Sequence, residues 1–275
     1  MGDAPIELMN CVSESELMTA PPPSRRRLRI LFLGNAYNPF SVQCALALAR
    51  TDHQVTVAAY EPASGKLSKV AADSWRKFGA WFVLRKAATL LRCRVRLWLR
   101  RLGFRFQGSA SLSEVCLQNG LPTLEMSNPN SAPFLAAVRE AAIDLVVVAA
   151  FSRILKRDLI EAPPLGCLNL HPSLLPQYRG PNPIYWALAR RERVTGVTAH
   201  FIDQGIDTGP ILLQRELEIL RGETEASLMR RCAQLAAALL PEALALVADG
   251  KAVALPQDET RASYFPIPPR GASTL

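Results

Sequence analysis

The sequence predicts an α/β fold, a mostly parallel sheet flanked by helices and interrupted by a basic helical insertion. Three observations carry that reading. Short apolar runs of strand length alternate with helical segments, and 28–34, 41–50 and 54–60 have the strand–helix–strand spacing of a parallel βαβ unit. The composition, 49% hydrophobic and 20% charged, can bury a core and is not that of a disordered chain. The net charge of +8 is regional: 66–105 holds twelve Lys/Arg against one acid, Asp73. That segment alone has a net charge of +11, and the rest of the chain is about −3.

The elements follow in order. Residues 28–34 (LRILFLG) form a buried first strand, 41–50 a helix and 54–60 (QVTVAAY) a second strand. Segment 66–105 breaks the alternation with Trp75, Trp81 and Trp98 among its basic residues, in a mixed helical periodicity. The alternation then resumes with a helix at 111–119, an extended piece at 121–125 and a helix at 132–142. The run 145–151 (LVVVAAF) is a central strand and 168–171 a further one. A short helix at 183–191 precedes two strands, 196–203 and 211–220, that form a hairpin. A long helix at 223–248, bent at Pro241, ends the domain. The expected organisation is a flexible extension over 1–27, a catalytic domain over 28–255 containing the insertion, and a C-terminal tail over 256–275.

Several classes are set aside. No apolar run approaches the roughly 18 residues of a membrane span, and the polar, proline-bearing start lacks the order of a signal peptide. The six cysteines (11, 44, 93, 116, 167 and 232) are scattered with no C-x-x-C pair. This argues against a disulfide scaffold and zinc, and for a reducing, cytoplasmic setting. Three histidines (53, 171 and 200) make a poor metal set, so no metal is expected.

The chemistry concentrates in CLNLHPSLLP (167–176) and GIDTG (205–209). Asn169 and His171 stand two apart on a strand and so project to one side. Asp207 sits on a glycine-flanked turn that can fold in beside them. An amide donor, an imidazole and a carboxylate can polarise a carbonyl, hold an oxyanion and move a proton. Ligands of parallel α/β sheets lie beyond the carboxyl ends of the strands, where 151–153 and 169–171 would open together.

The Asn-x-His-x-Ser-Leu-Leu-Pro box, with an Asp-x-Gly turn 36 residues past the histidine, resembles the folate-dependent formyltransferases. The resemblance covers about 28–255 and is strongest over 143–215. It implies the Rossmann-like formyltransferase fold and 10-formyltetrahydrofolate as formyl donor. It also implies catalytic roles for Asn169, His171 and Asp207, and a pteridine held against Phe151, Ser152, Arg153, Ile154 and Leu155 and the loop with Asp203 and Gly205. Arg179 and Gly180 are placed on the acceptor side, with a solvent-facing Arg179 as the alternative, and 173–176 shapes the loop after the strand. Thr198 and His200 alternate on a strand near the site, in either a supporting role or a plain core-edge role.

The expected acceptor is a primary amine of a small molecule or amino sugar, since 179–186 (RGPNPIYW) resembles the segment shared by the amino-sugar and methionyl-tRNA branches. The first βα loop, with Tyr37, Pro39 and Phe40, departs from the small phosphate-cradling loop of the purine-pathway members and counts against a glycinamide ribonucleotide. The length is expected to leave no room for the C-terminal barrel of a methionyl-tRNA enzyme or the regulatory domain of a dedicated 10-formyltetrahydrofolate hydrolase. Those three activities remain the alternatives. The non-enzymatic alternative is a scaffold that docks on an anionic surface, membrane or nucleic acid, through 66–105.

Overall fold

The computed structural model describes residues 26–60 and 111–269, with five further helical positions between them: Ala88, Leu91, Val95, Trp98 and Leu99. The expected N-terminal extension lies outside the described residues up to 25. The basic insertion lies outside them apart from those five positions.

Strands β1 (Arg29–Asn35), β2 (Gln54–Tyr60), β3 (Leu145–Ala149), β4 (Cys167–His171), β5 (Val194–Phe201) and β6 (Ile211–Glu218) form one sheet. Their order is β2-β1-β3-β4-β5-β6. β2, β1, β3 and β4 run parallel to one another, whereas β5 pairs antiparallel with β4 and with β6. β1 and β3 are apolar and almost wholly buried because helices cover both faces of a parallel sheet. The order reverses between β1 and β3, which leaves a crevice at their carboxyl ends.

Six of the helices among the described residues flank the sheet: α1 (Pro39–Leu48), α2 (Leu112–Asn119), α3 (Ala132–Glu140), α4 (Arg157–Ile160), α5 (Pro183–Ala189) and α6 (Glu225–Ala248). One core joins Ile30, Phe32, Val147 and Leu168 to α1, α2 and the buried face of α6. The other joins Leu31, Leu33, Val146 and Val148 to Phe134, Leu135 and Val138 of α3 and Leu159 of α4. Alternate residues of β1 and β3 thus feed opposite cores, as the period of two requires. By length and composition α6 could cross a membrane. Here its buried residues pack against α1, β5 and β6.

The helix starts carry their own caps. Asn38, Ser111 and Thr224 each accept a backbone N–H of the following turn. Among the described residues, expected and observed elements agree in type, with ends that differ by a few residues. The extended piece at 121–125 is only a bridge between Val57 and Thr123. Four-residue α4 has too little periodicity to stand out in the sequence.

The end of the chain packs back on the domain. Residues 257–266, assigned to a tail, run back along the loop after β4. Ser263 donates its N–H to Pro176 O, and Phe265 donates to Arg179 O. The Phe265 ring stacks on Tyr178 at 5.0 Å, and Trp186 Nε1 donates to Pro266 O. We refer to this segment as the strap.

Candidate active site

The register of the sheet builds the centre of the site. Asn169 on β4 pairs across the ladder with His200 on β5, and His171 pairs with Thr198. Side chains directly opposite on neighbouring strands lie within reach of each other. Asn169 Nδ2 accordingly donates to His200 Nε2 at 3.1 Å. The turn between β5 and β6 brings in Asp207, whose Oδ2 lies 3.6 Å from His171 Nδ1 and whose Oδ1 lies 3.4 Å from Asn169 Nδ2 and 3.7 Å from His200 Nε2. The three residues singled out by their spacing therefore meet around one point, with His200 as a fourth.

Hydrogen-bond chemistry assigns the protons. His171 Nε2 faces only an acceptor, the carbonyl of Tyr178 at 2.9 Å, so Nε2 carries hydrogen and Nδ1 is the atom turned to Asp207. His200 Nδ1 faces the carbonyl of Phe201 at 3.0 Å, which leaves Nε2 free to accept from Asn169. His200 is almost completely buried, and its pKa falls from 6.5 to about 4. Burial is the main cause, followed by the neighbouring His171, while Asp207 pulls the other way. At neutral pH His200 is thus an uncharged acceptor that orients the Asn169 amide.

Asp207 adopts a left-handed conformation (φ 54°), which Asp tolerates better than most residues. Its Oδ2 accepts the Gly180 N–H at 2.9 Å. Two glycines are required sterically. A Cβ on Gly209 would stand 1.9 Å from Phe201 O, and one on Gly180 (φ 95°) would stand 2.5 Å from Phe265 O in the strap. The Asp-x-Gly and Arg-Gly pairs are thus close-approach positions that seat the carboxylate. Asp203 holds the start of the turn by accepting from Gly205 N and Thr208 Oγ1.

These groups open into a cleft of about 630 Å³ at the carboxyl ends of β1, β3 and β4. All seven residues expected to hold the donor border it: Phe151, Ser152, Arg153, Ile154, Leu155, Asp203 and Gly205. The volume lies within the range typical of small-molecule sites. Arg153 stacks 4.8 Å from the Tyr60 ring centroid and donates to its hydroxyl at 2.8 Å, which fixes one wall of the mouth. Asn38, Pro183, Glu225 and Met229 line the other side. At the N-terminus of α1, Asn38 Oδ1 takes the Phe40 N–H, and Pro39 has no N–H to give.

Arg179 corrects both of its expected placements. It neither lines the cleft nor faces solvent. It is buried, with its guanidinium on Gln257 and Glu259 of the strap, and only its neighbour Gly180 reaches the cleft. Tyr178, whose carbonyl fixes His171, and Gln257 carried no signal in the sequence. Among the described residues, no group of three or more His, Cys, Asp or Glu is placed to hold a metal ion. Cys44, Cys116, Cys167 and Cys232 are buried free thiols, and burial pushes Cys167 up to about 12.

Comparison with known proteins gives one family. The family model for formyl transferase matches residues 111–244. Methionyl-tRNA formyltransferase of Ruminiclostridium cellulolyticum is 41% identical over 156 residues, 57% of this chain and 50% of the relative. That of Anaeromyxobacter dehalogenans is 37% identical over 240 residues, 87% of this chain and 65% of the relative. The chain spans about half the length of most of the curated relatives it matches. Among solved structures, an N-formyltransferase from Helicobacter canadensis in complex with folinic acid and dTDP-3-aminofucose superposes with a TM-score of 0.58. It covers 87% of this chain and 71% of its own at 18% identity, a likeness of fold.

Proposed function

We propose that this chain, which matches the family model for formyl transferase over residues 111–244, moves a formyl group from 10-formyltetrahydrofolate to a primary amine. The observation that carries the proposal is the convergence of Asn169, His171 and Asp207 on a cleft large enough for a folate head group. In the proposed reaction the neutral amine attacks the formyl carbon, a C–N bond forms, and the carbonyl oxygen becomes an oxyanion. The second N–H of Asn169, in only a long contact with Asp207, is the donor for that oxygen. The proton released by the amine passes through the Asp207–His171 pair to the leaving N10 of tetrahydrofolate as its C–N bond breaks. The pteridine lies against 151–155 and the Asp203 turn, where Ile154 is exposed to receive it.

The acceptor we favour is a small or sugar-borne amine. The charged side chains bordering the cleft are Arg153, Asp203, Asp207 and Glu225, and Arg153 is already engaged by Tyr60. Such a lining suits an amine better than a phosphate held inside the cleft. A second reading, the amine of an aminoacylated RNA, is supported by the identity to methionyl-tRNA formyltransferases.

The test mixes the protein with 10-formyltetrahydrofolate and either a panel of amines and nucleotide-linked amino sugars or methionyl-tRNA. Tetrahydrofolate release is followed by absorbance and the formylated product by mass. Formylation of an amine at micromolar enzyme supports the proposal, and the preferred acceptor chooses between the two readings. Formate release at full rate without any acceptor would instead assign a hydrolase. No consumption of the donor under any condition removes the catalytic reading.

A further inference from the structure

We propose that Gln257, in the strap, is a positioning residue for Asp207. This rests on the formyl-transfer reading above, in which Asp207 moves the proton. Gln257 uses both ends of its amide. Its Oε1 accepts from Arg179 Nε at 3.0 Å and from a terminal nitrogen of the same guanidinium at 2.8 Å. Its Nε2 donates to Asp207 O at 2.8 Å and to Gly209 O at 2.7 Å. Every hydrogen-bonding position on that amide is filled by one of two loops.

The consequence is a closed circuit around the carboxylate. Gly180 N–H holds the Asp207 side chain, and Arg179, the preceding residue, holds Gln257, which in turn holds the Asp207 carbonyl. Asp207 is thus gripped at its side chain by Gly180 and at its backbone by Gln257, which Arg179 holds in turn. The backbone grip matters because Asp207 has a positive φ, a conformation that persists only when its surroundings determine it. Releasing the carbonyl lets the turn relax and carries the carboxylate away from His171, which it faces at 3.6 Å.

Glu259 supplies the control. It bonds the same guanidinium, at 2.7 and 2.9 Å, and its side chain is largely exposed. No hydrogen bond joins it to the Asp207 turn, so its loss removes one partner of Arg179 and leaves both Gln257 contacts to that turn in place. Gln257 also reaches across to Asp207 and Gly209.

The experiment compares Gln257→Ala, Gln257→Glu and Glu259→Ala by steady-state kinetics, thermal melting and amide NMR of the folded protein. Gln257→Glu keeps the acceptor oxygens for Arg179 and removes the two donors, so it remains informative if the alanine variant folds poorly. Both Gln257 variants are expected to lower kcat by about tenfold to a hundredfold, the scale of a misplaced reacting group. The donor KM should stay within about twofold, since uniform binding is untouched. The Gly180 amide proton, which reports the Asp207 carboxylate, should shift and exchange faster in both. Glu259→Ala should alter neither the Gly180 amide nor kcat. An unchanged Gly180 amide in the Gln257 variants overturns the proposal, as does a Glu259→Ala variant that reproduces every effect. A wild-type protein that formylates nothing removes the formyl-transfer reading, while the Gly180 amide still decides whether Gln257 positions Asp207.

Discussion

The two halves of the sheet are held by different forces. In the parallel half, β1 and β3 are continuous apolar runs sealed between two helical layers, and Ile30, Phe32, Val146 and Val147 are fully buried. In the antiparallel half, β4, β5 and β6 bury polar groups that satisfy one another. Thr198 Oγ1 donates to Ser173 O and accepts from Leu175 N and Gln214 Nε2, and Gln214 Nε2 also reaches Leu175 O. Asn169, His171, His200 and Asp207 extend that network into the cleft. Apolar burial is non-directional and sets where the strands lie, whereas hydrogen bonds are directional and set where individual atoms point. The first half therefore provides the floor of the cleft, and the second provides its chemistry.

Four perturbations would break or sharpen this contrast. The largest is Phe32→Ala, which opens a cavity in the parallel half and should cost about 3–5 kcal/mol in denaturant unfolding. The kcat of the remaining folded protein should stay near that of the wild type. Asp207→Ala should do the reverse, lowering turnover about a hundredfold to a thousandfold with little change in melting temperature. Turnover near wild type in that variant would remove the proton-relay assignment.

Thr198→Val comes next, at about 1–3 kcal/mol of stability, because it strips a buried hydroxyl from two donors and one acceptor while nearly keeping shape. A neutral outcome would mean that the polar half is held by packing after all. The last perturbation is one of pH. The unfolded His200 takes up a proton below about pH 6.5, but the folded one stays neutral until about pH 4. Its contribution is therefore fully present above pH 6.5 and is lost as the pH falls toward 4. Urea titrations at pH 7 and pH 4.5 should show a drop in stability that His200→Gln reduces. An equal drop in the variant would place the acid sensitivity elsewhere.

The parallel half was the more legible of the two in the sequence, because an apolar run bounded by turn residues encodes a buried strand with no knowledge of its neighbours. Asn169 and His171 were legible for a related reason, since alternation along one strand fixes their common side. Arg179 was not. Its neighbours in the chain suggest a loop at the cleft, but its partners Gln257 and Glu259 lie about 80 residues further on in the strap. His200 was visible as a residue near the site, yet its role as a neutral acceptor depends on the β4–β5 register and on burial. The strap itself has no periodicity and mostly pairs through single backbone contacts, so its path left no local trace.

The sequence alone determined the α/β architecture, the alternation that aims an amide and an imidazole the same way, and the glycines that let a carboxylate approach them, because each follows from the stereochemistry of a few consecutive residues. Only the tertiary structure decided which nitrogen of each histidine carries the proton, which way Arg179 turns, and what holds the Asp207 turn from behind. Those features depend on atoms contributed by segments far apart in the chain, and their positions exist only once the sheet has closed.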